Sequence, residues 1–137
     1  MAQTIRLKVA APDRLVFEGD VASVEAPAAD GYLGVLPGHA PLISELGTGV
    51  LTFVDTDGEN RYLMVHQGLL EVLPDSVRVL TSQALWESEV DVERAKVQLD
   101  RATDLFHEHD YEADVEEALE AAARARARIE AYERSKN

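Results

Sequence analysis

The stretch VLTFVDTDGENRYLMVHQGLLEVLPDSVRVL, residues 50–80, decides the fold. Val50-Leu51-Thr52-Phe53-Val54 and Tyr62-Leu63-Met64-Val65 are apolar runs rich in β-branched and aromatic residues. Asp55-Thr56-Asp57-Gly58 between them is turn chemistry, and the three segments together predict a β-hairpin. Leu69 to Leu73 and Val77-Arg78-Val79-Leu80 flank Pro74-Asp75-Ser76, a second hairpin. Upstream, Ile5-Leu7-Val9 alternates with polar residues. Leu15-Val16-Phe17 and Val21-Ala22-Ser23-Val24 lie either side of Gly19-Asp20, which predicts two strands and a turn. Short strands at regular spacing predict an antiparallel β-sandwich or barrel, and about 85 residues suffice for its core.

Near residue 85 the grammar changes. None of the eight Gly and five Pro lies beyond Pro74. Val92, Ala95, Leu99, Ala102 and Phe106 recur at heptad-like spacing, as do Val115, Ala118, Ala122, Ala125, Ile129 and Tyr132. Asp114 with Glu117 resembles a capping box opening a second helix. The class is therefore α+β: a sandwich over 1–85, then an antiparallel two-helix hairpin over 86–137. Five of the eleven seam residues are Ala, which lets helices pack closely while burying little apolar area. Such a hairpin can open. The alternative is a hairpin permanently docked on the sandwich through Trp86, Leu105 and Phe106.

Charge narrows the function. With 13 Lys+Arg against 26 Asp+Glu, the net charge is −13, so nucleic acid and anionic lipid are not expected as partners. No apolar run is long enough to span a membrane, and MAQTIRLKVAAP lacks a signal-peptide block, so no direct membrane insertion is expected. Zero Cys excludes disulfides and thiol chemistry. No Gly-x-Ser-x-Gly elbow is present, and paired carboxylates on an acidic helix are a solvated face; no catalysis is expected. His39, His66, His107 and His109 invite a metal reading, but His107-x-His109 does not have closed zinc-site spacing. His39 is expected to hold a loop by hydrogen bonds.

The last 17 residues reverse the sign. Arg124, Arg126, Arg128, Arg134 and Lys136 stand there against Glu130 and Glu133. Cations near a helix C-terminus suit its macrodipole, which accounts for Arg134 and Lys136. With Val92 and Val115 as heptad a positions, Asp91, Arg94, Arg124 and Arg128 converge across the hairpin. Three guanidiniums around one carboxylate suit a phosphate chain. The other reading is a set of surface ion pairs with Glu93, Glu130 and Asp91, each worth little.

Gly31-Tyr32-Leu33-Gly34-Val35-Leu36-Pro37-Gly38-His39-Ala40-Pro41-Leu42 closely resembles the signature of the epsilon subunit of bacterial F-type ATP synthase. Val90-Asp91-Val92-Glu93-Arg94-Ala95 resembles that family's nucleotide motif, and Arg124 and Arg128 match its second-helix arginines. Gln67 stands where many members have Gly. The resemblance implies a non-catalytic rotor subunit of a proton- or sodium-translocating enzyme, peripheral on the cytoplasmic face of the membrane. Its sandwich would bind the gamma subunit and the c-ring, with Asp30, Gly31, Tyr32, His39, Ala40 and Pro41 at the contacts. Its hairpin would inhibit ATP hydrolysis by extending among the catalytic beta and alpha subunits. No cofactor is required; ATP is implied as a regulatory ligand at Asp91, Arg94, Ala95, Arg124 and Arg128, favouring the compact state. Apart from the resemblance, the residues also fit a stand-alone β-domain whose helical arm binds another partner or senses nucleotide.

Overall fold

The computed structural model describes residues 3–107 and 112–136, with side chains at all of these except 105–107 and 112–114. Six strands come first: β1 (Ile5–Ala11), β2 (Arg14–Ala28), β3 (Gly31–Val35), β4 (Leu42–Asp55), β5 (Asn60–Leu73) and β6 (Ser76–Trp86). A short 3₁₀ turn, Glu87–Glu89, leads into α1 (Val92–His107) and α2 (Glu112–Ser135). The sheet order is β1-β6-β5-β4-β2-β3, and β1 also pairs with β2, so the sheet curls until its ends meet. Pairings are antiparallel except β1–β6, which is parallel.

Both hairpins predicted within residues 50–80 are present. Asp55 shapes the first turn, its Oδ1 accepting from the Asp57 and Glu59 N–H groups at 2.9 and 3.0 Å. One expectation is corrected. Gly19-Asp20 is not a turn: Gly19 lies opposite Leu7 inside the single long strand β2. The first half of β2 pairs with β1 and the second half with β3 and β4, with register shifts between Val21 and Ser23 and between Glu25 and Ala28. An exchange of partners, not a reversal, interrupts the alternation here.

A second irregularity spans three strands. The core contains Leu63 and Val65 from β5, then Leu70 and Val72, so the inward parity changes within one strand. The same change separates Leu46 from Leu51 on β4, and Val79 from Ala84 on β6. On β5 the break is Gln67-Gly68, both at positive φ (53° and 146°). A Cβ on Gly68 would run into the Leu80 carbonyl, so glycine is required by contact as well as by φ. Gln67 occupies the left-handed region without that freedom, at a cost of about 1 kcal/mol.

The Leu63-Met64-Val65 run is buried on both faces. Leu63 and Val65 point into the sandwich, while Met64 and Val50 point out and are covered by Ala127 and Ala131 of α2, with Tyr62 and Leu85 alongside. Residues on α1 pack chiefly on α2, making the order sheet, α2, α1. The hairpin is therefore compact. Its seam alanines Ala95, Ala102, Ala118, Ala122 and Ala125 are all buried. Docking does not run through Trp86, whose ring stands edge-on to Phe17 and Phe53 in the sandwich core. Leu105 and Phe106 lie outside the described side chains, as do His107 and His109. Asp114 does not cap α2, which begins two residues earlier.

Candidate functional site

The arginines of the hairpin share a cleft. Asp91, immediately before α1, accepts the Arg94 N–H at 3.1 Å through Oδ1. That is an N-cap contact, so Asp91 first serves to start the helix. Ala95 is buried in the seam, where a larger side chain would push the helices apart. Arg94 projects from the first turn of α1 and lines a cleft with Leu85, Glu89, Asp91, Gln98 and Arg128. Arg128 and Gln98 also line an adjoining cleft with Arg101 and Arg124. Of the five residues matched to a nucleotide motif, four therefore border joined clefts, and Ala95 sets the spacing beneath them.

Arg128 is the centre of this arrangement. Its two terminal nitrogens donate to Gln98 Oε1 on α1 and Gln83 Oε1 on β6, each at 3.1 Å. One guanidinium thus ties α2 to α1 and to the sandwich. Both acceptors are neutral amides. Burial first, then Arg124 and Arg94, pull the Arg128 guanidinium below its ordinary pKa. It stays charged, since arginine does not lose its proton in proteins. Burial is the larger cause, and the two neighbouring arginines add a positive field that an anion would relieve. Of the acids foreseen as partners, Glu93 pairs with Lys96 (4.0 Å) and Glu130 with Arg134 (3.5 Å), while within the cleft Arg124 pairs with Glu120 (3.9 Å).

Arg134 does more than complement a helix end. It reaches the sandwich, 4.0 Å from Glu25 and 3.4 Å from Thr52 Oγ1. Arg128 and Arg134 thus anchor α2 on either side of Ala131. A further anchor was invisible in the sequence. Arg14, the first residue of β2, grips both oxygens of Glu89 at 2.9 and 2.8 Å and donates to the Ala84 carbonyl. Glu89 also accepts the Trp86 N–H, and the Arg14 hydrogen bond holds its carboxyl below the usual range. The 3₁₀ turn is thereby tied to the sandwich, 75 residues away in sequence. No local pattern signals such a pair.

The residues expected to meet partners fall at opposite ends of β3. Asp30 and Gly31 form the exposed β2–β3 turn. Tyr32 is the second residue of β3, and its hydroxyl accepts the Val50 N–H at 3.1 Å. His39, Ala40 and Pro41 follow β3, where His39 Nδ1 bonds the Ala40 carbonyl (2.7 Å) and Gly38 donates to the Pro74 carbonyl (2.7 Å). That last bond joins the His39 loop to the end of β5, next to an apolar surface. Leu15, Ala10, Leu80 and Leu69 are successive cross-strand neighbours over β2, β1, β6 and β5, so their side chains share a face. Leu15, Leu80 and Leu69 are 55%, 43% and 42% exposed, with Ile43 and Leu73 exposed nearby. The paired Glu71 and Arg78 lie between the Leu69–Leu80 row and Leu73. Among the described residues no group of His, Asp or Glu could hold a metal ion, and no helix is long and apolar enough to cross a membrane.

Comparison with known proteins places this architecture. Residues 4–87 match the family described as ATP synthase, delta/epsilon chain, β-sandwich domain. The chain is 46% identical over 129 residues to the ATP synthase epsilon chain of Solibacter usitatus, covering 94% of this chain and 96% of that one. It is 40% identical over 128 residues to the epsilon chain of Moorella thermoacetica, covering 93% and 96%. A chain in the mitochondrial ATP synthase of Euglena gracilis, solved with OSCP, F1 and c-ring, superposes with a TM-score of 0.83 at 23% identity, over 100% of this chain and 83% of that one. At that identity the likeness is one of fold.

Proposed function

The chain belongs to the epsilon family of ATP synthase subunits, and we propose that in this enzyme it ties the gamma subunit to the c-ring while its hairpin restrains ATP hydrolysis. An epsilon chain is a subunit, not a catalyst. The observation that carries the rotor role is the apolar stripe Leu15-Ala10-Leu80-Leu69 with the adjoining His39 loop, a surface suited to gamma. The exposed turn at Asp30 and Gly31, at the far end of β3, suits the polar loops of the c-ring. One end of the sandwich would then face the stalk and the other the membrane rotor, with the chain peripheral on the cytoplasmic face. Whether protons or sodium ions drive that rotor is set by other subunits.

The stripe gives a direct test. Leu69→Asp with Leu80→Asp puts two carboxylates into the proposed contact without touching the inward core. Co-purification with gamma should be lost while the far-ultraviolet circular dichroism is kept. Retained binding would remove gamma from this face.

The regulatory role rests on the compact hairpin and its arginine cleft. In the extended state α1 and α2 separate and enter the catalytic hexamer, where the basic tip meets beta and alpha subunits. ATP held by Arg94, Arg124 and Arg128 would keep its ligands only while the two helices are paired. A ligand shifts such an equilibrium by its differential affinity for the two states. Arg94 is exposed and makes no ion pair among the described residues, so Arg94→Ala should leave the fold intact. Calorimetry should show ATP binding weakened about tenfold by this substitution, the loss of one charge-assisted contact. Equal heats for the two proteins would retire the pocket.

A further inference from the structure

His66 stands at the edge of the arginine cleft, in a position that no motif picks out. It is the last β5 residue before the Gln67-Gly68 kink. Its backbone is pinned to β6: the N–H donates to Thr81 Oγ1 (3.2 Å), and its carbonyl accepts from the Ser82 hydroxyl. Its Nδ1 lies 2.7 Å from Thr48 Oγ1 on β4. The half-buried ring lines a cleft with Arg14, Ser82, Gln83, Glu89 and Arg124. Arg124 lines that cleft and the neighbouring one with Arg128, so the imidazole and the arginines border one continuous depression.

The charged groups around the ring come from three elements. From α2 they are Arg124, Arg128 and Glu120. From the start of β2 and the turn before it they are Arg14 and Asp13, and from the 3₁₀ turn Glu89. Glu89 is taken up by Arg14, and Glu120 lies 3.9 Å from Arg124. From β4 and β6 the neighbours are neutral: Thr48, Ser82 and Gln83. Burial, then Arg124 against the opposing Glu120, then Arg128, push the His66 pKa down. An anion held by Arg124 and Arg128 would offset the two arginine effects and leave burial opposed by Glu120.

We propose that His66 takes up a proton from solvent when an anion occupies the arginine cleft, so that the cleft binds anions more tightly in mildly acidic solution. Linkage makes the coupling reciprocal: what the anion does to the proton, the proton does to the anion. Thr48 accommodates both forms of the ring, since its hydroxyl donates to a bare Nδ1 and accepts from a protonated one. The inference rests on the anion reading of the arginine cleft and adds a proton-dependent wall to it.

The test is a histidine NMR titration of the full chain with and without saturating sulfate, which stays divalent between about pH 5 and pH 8. The His66 midpoint should rise by about 0.5 to 1 pH unit with sulfate. ATP affinity should then increase about three- to tenfold more between about pH 8 and pH 6 in the wild type than in His66→Gln, which carries the background from ATP's own protonation. Sulfate that perturbs the Arg94, Arg124 and Arg128 signals but leaves the His66 midpoint unmoved overturns the proton coupling alone. Absence of sulfate and ATP binding at every pH overturns the coupling and the anion site together. The wild-type titration decides the matter even if His66→Gln folds poorly.

Discussion

Removing residues 87–137 should raise ATP hydrolysis by the assembled synthase about two- to tenfold, the factor expected if the hairpin holds between half and nine-tenths of the complexes inhibited. Assembly should survive. The main core cluster is built wholly from strands β1 to β6, with Trp86 packed against it, and needs no helix residue. The apolar stripe also lies wholly on the strands. The truncation exposes Val50 and Met64, which α2 normally covers. That loss is worth about 1.5–3 kcal/mol for each side chain, a strain the sandwich core can bear. The measurement is the hydrolysis rate of the purified complex with full-length and truncated chains, normalised to bound subunit. An unchanged rate would deny the hairpin an inhibitory role.

Ala131→Glu should do the opposite and lower hydrolysis. Ala131 is fully buried between α2 and the sheet, against Val50 and Met64. A carboxylate there has no cation in that contact and costs about 3–5 kcal/mol while the helix stays docked. In solvent it costs nothing. Docking therefore weakens by a factor of about 10² to 5 × 10³, and the hairpin leaves the sandwich. Amide exchange along α2 should speed up while the β4 and β5 amides facing the inner core keep their protection. In the complex, the freed hairpin is available to the catalytic hexamer. Undocking accompanied by faster hydrolysis would refute the assignment of the extended form as the inhibitory one.

These two results have opposite signs because the compact state is a balance of small terms. The docking contact is two methyl groups, each worth about 0.8 kcal/mol of its own burial, set between the polar anchors of Arg128 and Arg134. The seam between α1 and α2 is alanine-rich as well. Arg14 keeps Glu89 on the sandwich, so the departing element begins beyond that residue. A gap of a few kcal/mol is one that the proposed nucleotide could tip, and Arg128 offers an anion a guanidinium with no carboxylate partner to displace among its described contacts.

Much of this was legible in the chain. Turn residues at Asp55–Gly58 and Pro74–Ser76 declare both hairpins, because turn geometry depends on a few adjacent residues. The end of Gly and Pro at Pro74 and the heptad spacing after Val92 declare the change to helix, again locally. The seam alanines follow from the same spacing. The unbroken Leu63-Met64-Val65 carried a further signal: a strand apolar at consecutive positions is buried on both faces, so something must cover it. It did not say what.

The reading failed where one stretch answers to two environments. Gly19-Asp20 looked like a turn, but β2 runs through it because its two halves pair with different strands. The alternation breaks at Gln67-Gly68 because three neighbouring strands change parity together, which no single strand reports. The Asp91 carboxylate was placed among the arginines and is first of all the cap of α1.

Propensity, periodicity and turn chemistry act over a few residues, so most of the elements, their order, the weak seam and the family can be read from the chain, but not the unbroken run of β2 through Gly19-Asp20. Only the tertiary structure decided which charges meet. Arg128 lies 30 residues from Gln98 and 45 from Gln83. Whether a guanidinium finds a carboxylate, an amide or an open cleft depends on the crossing of α2 over α1 and the sheet. That crossing is set by the packing of Ala127 and Ala131 on Val50 and Met64, and it places His66 beside Arg124.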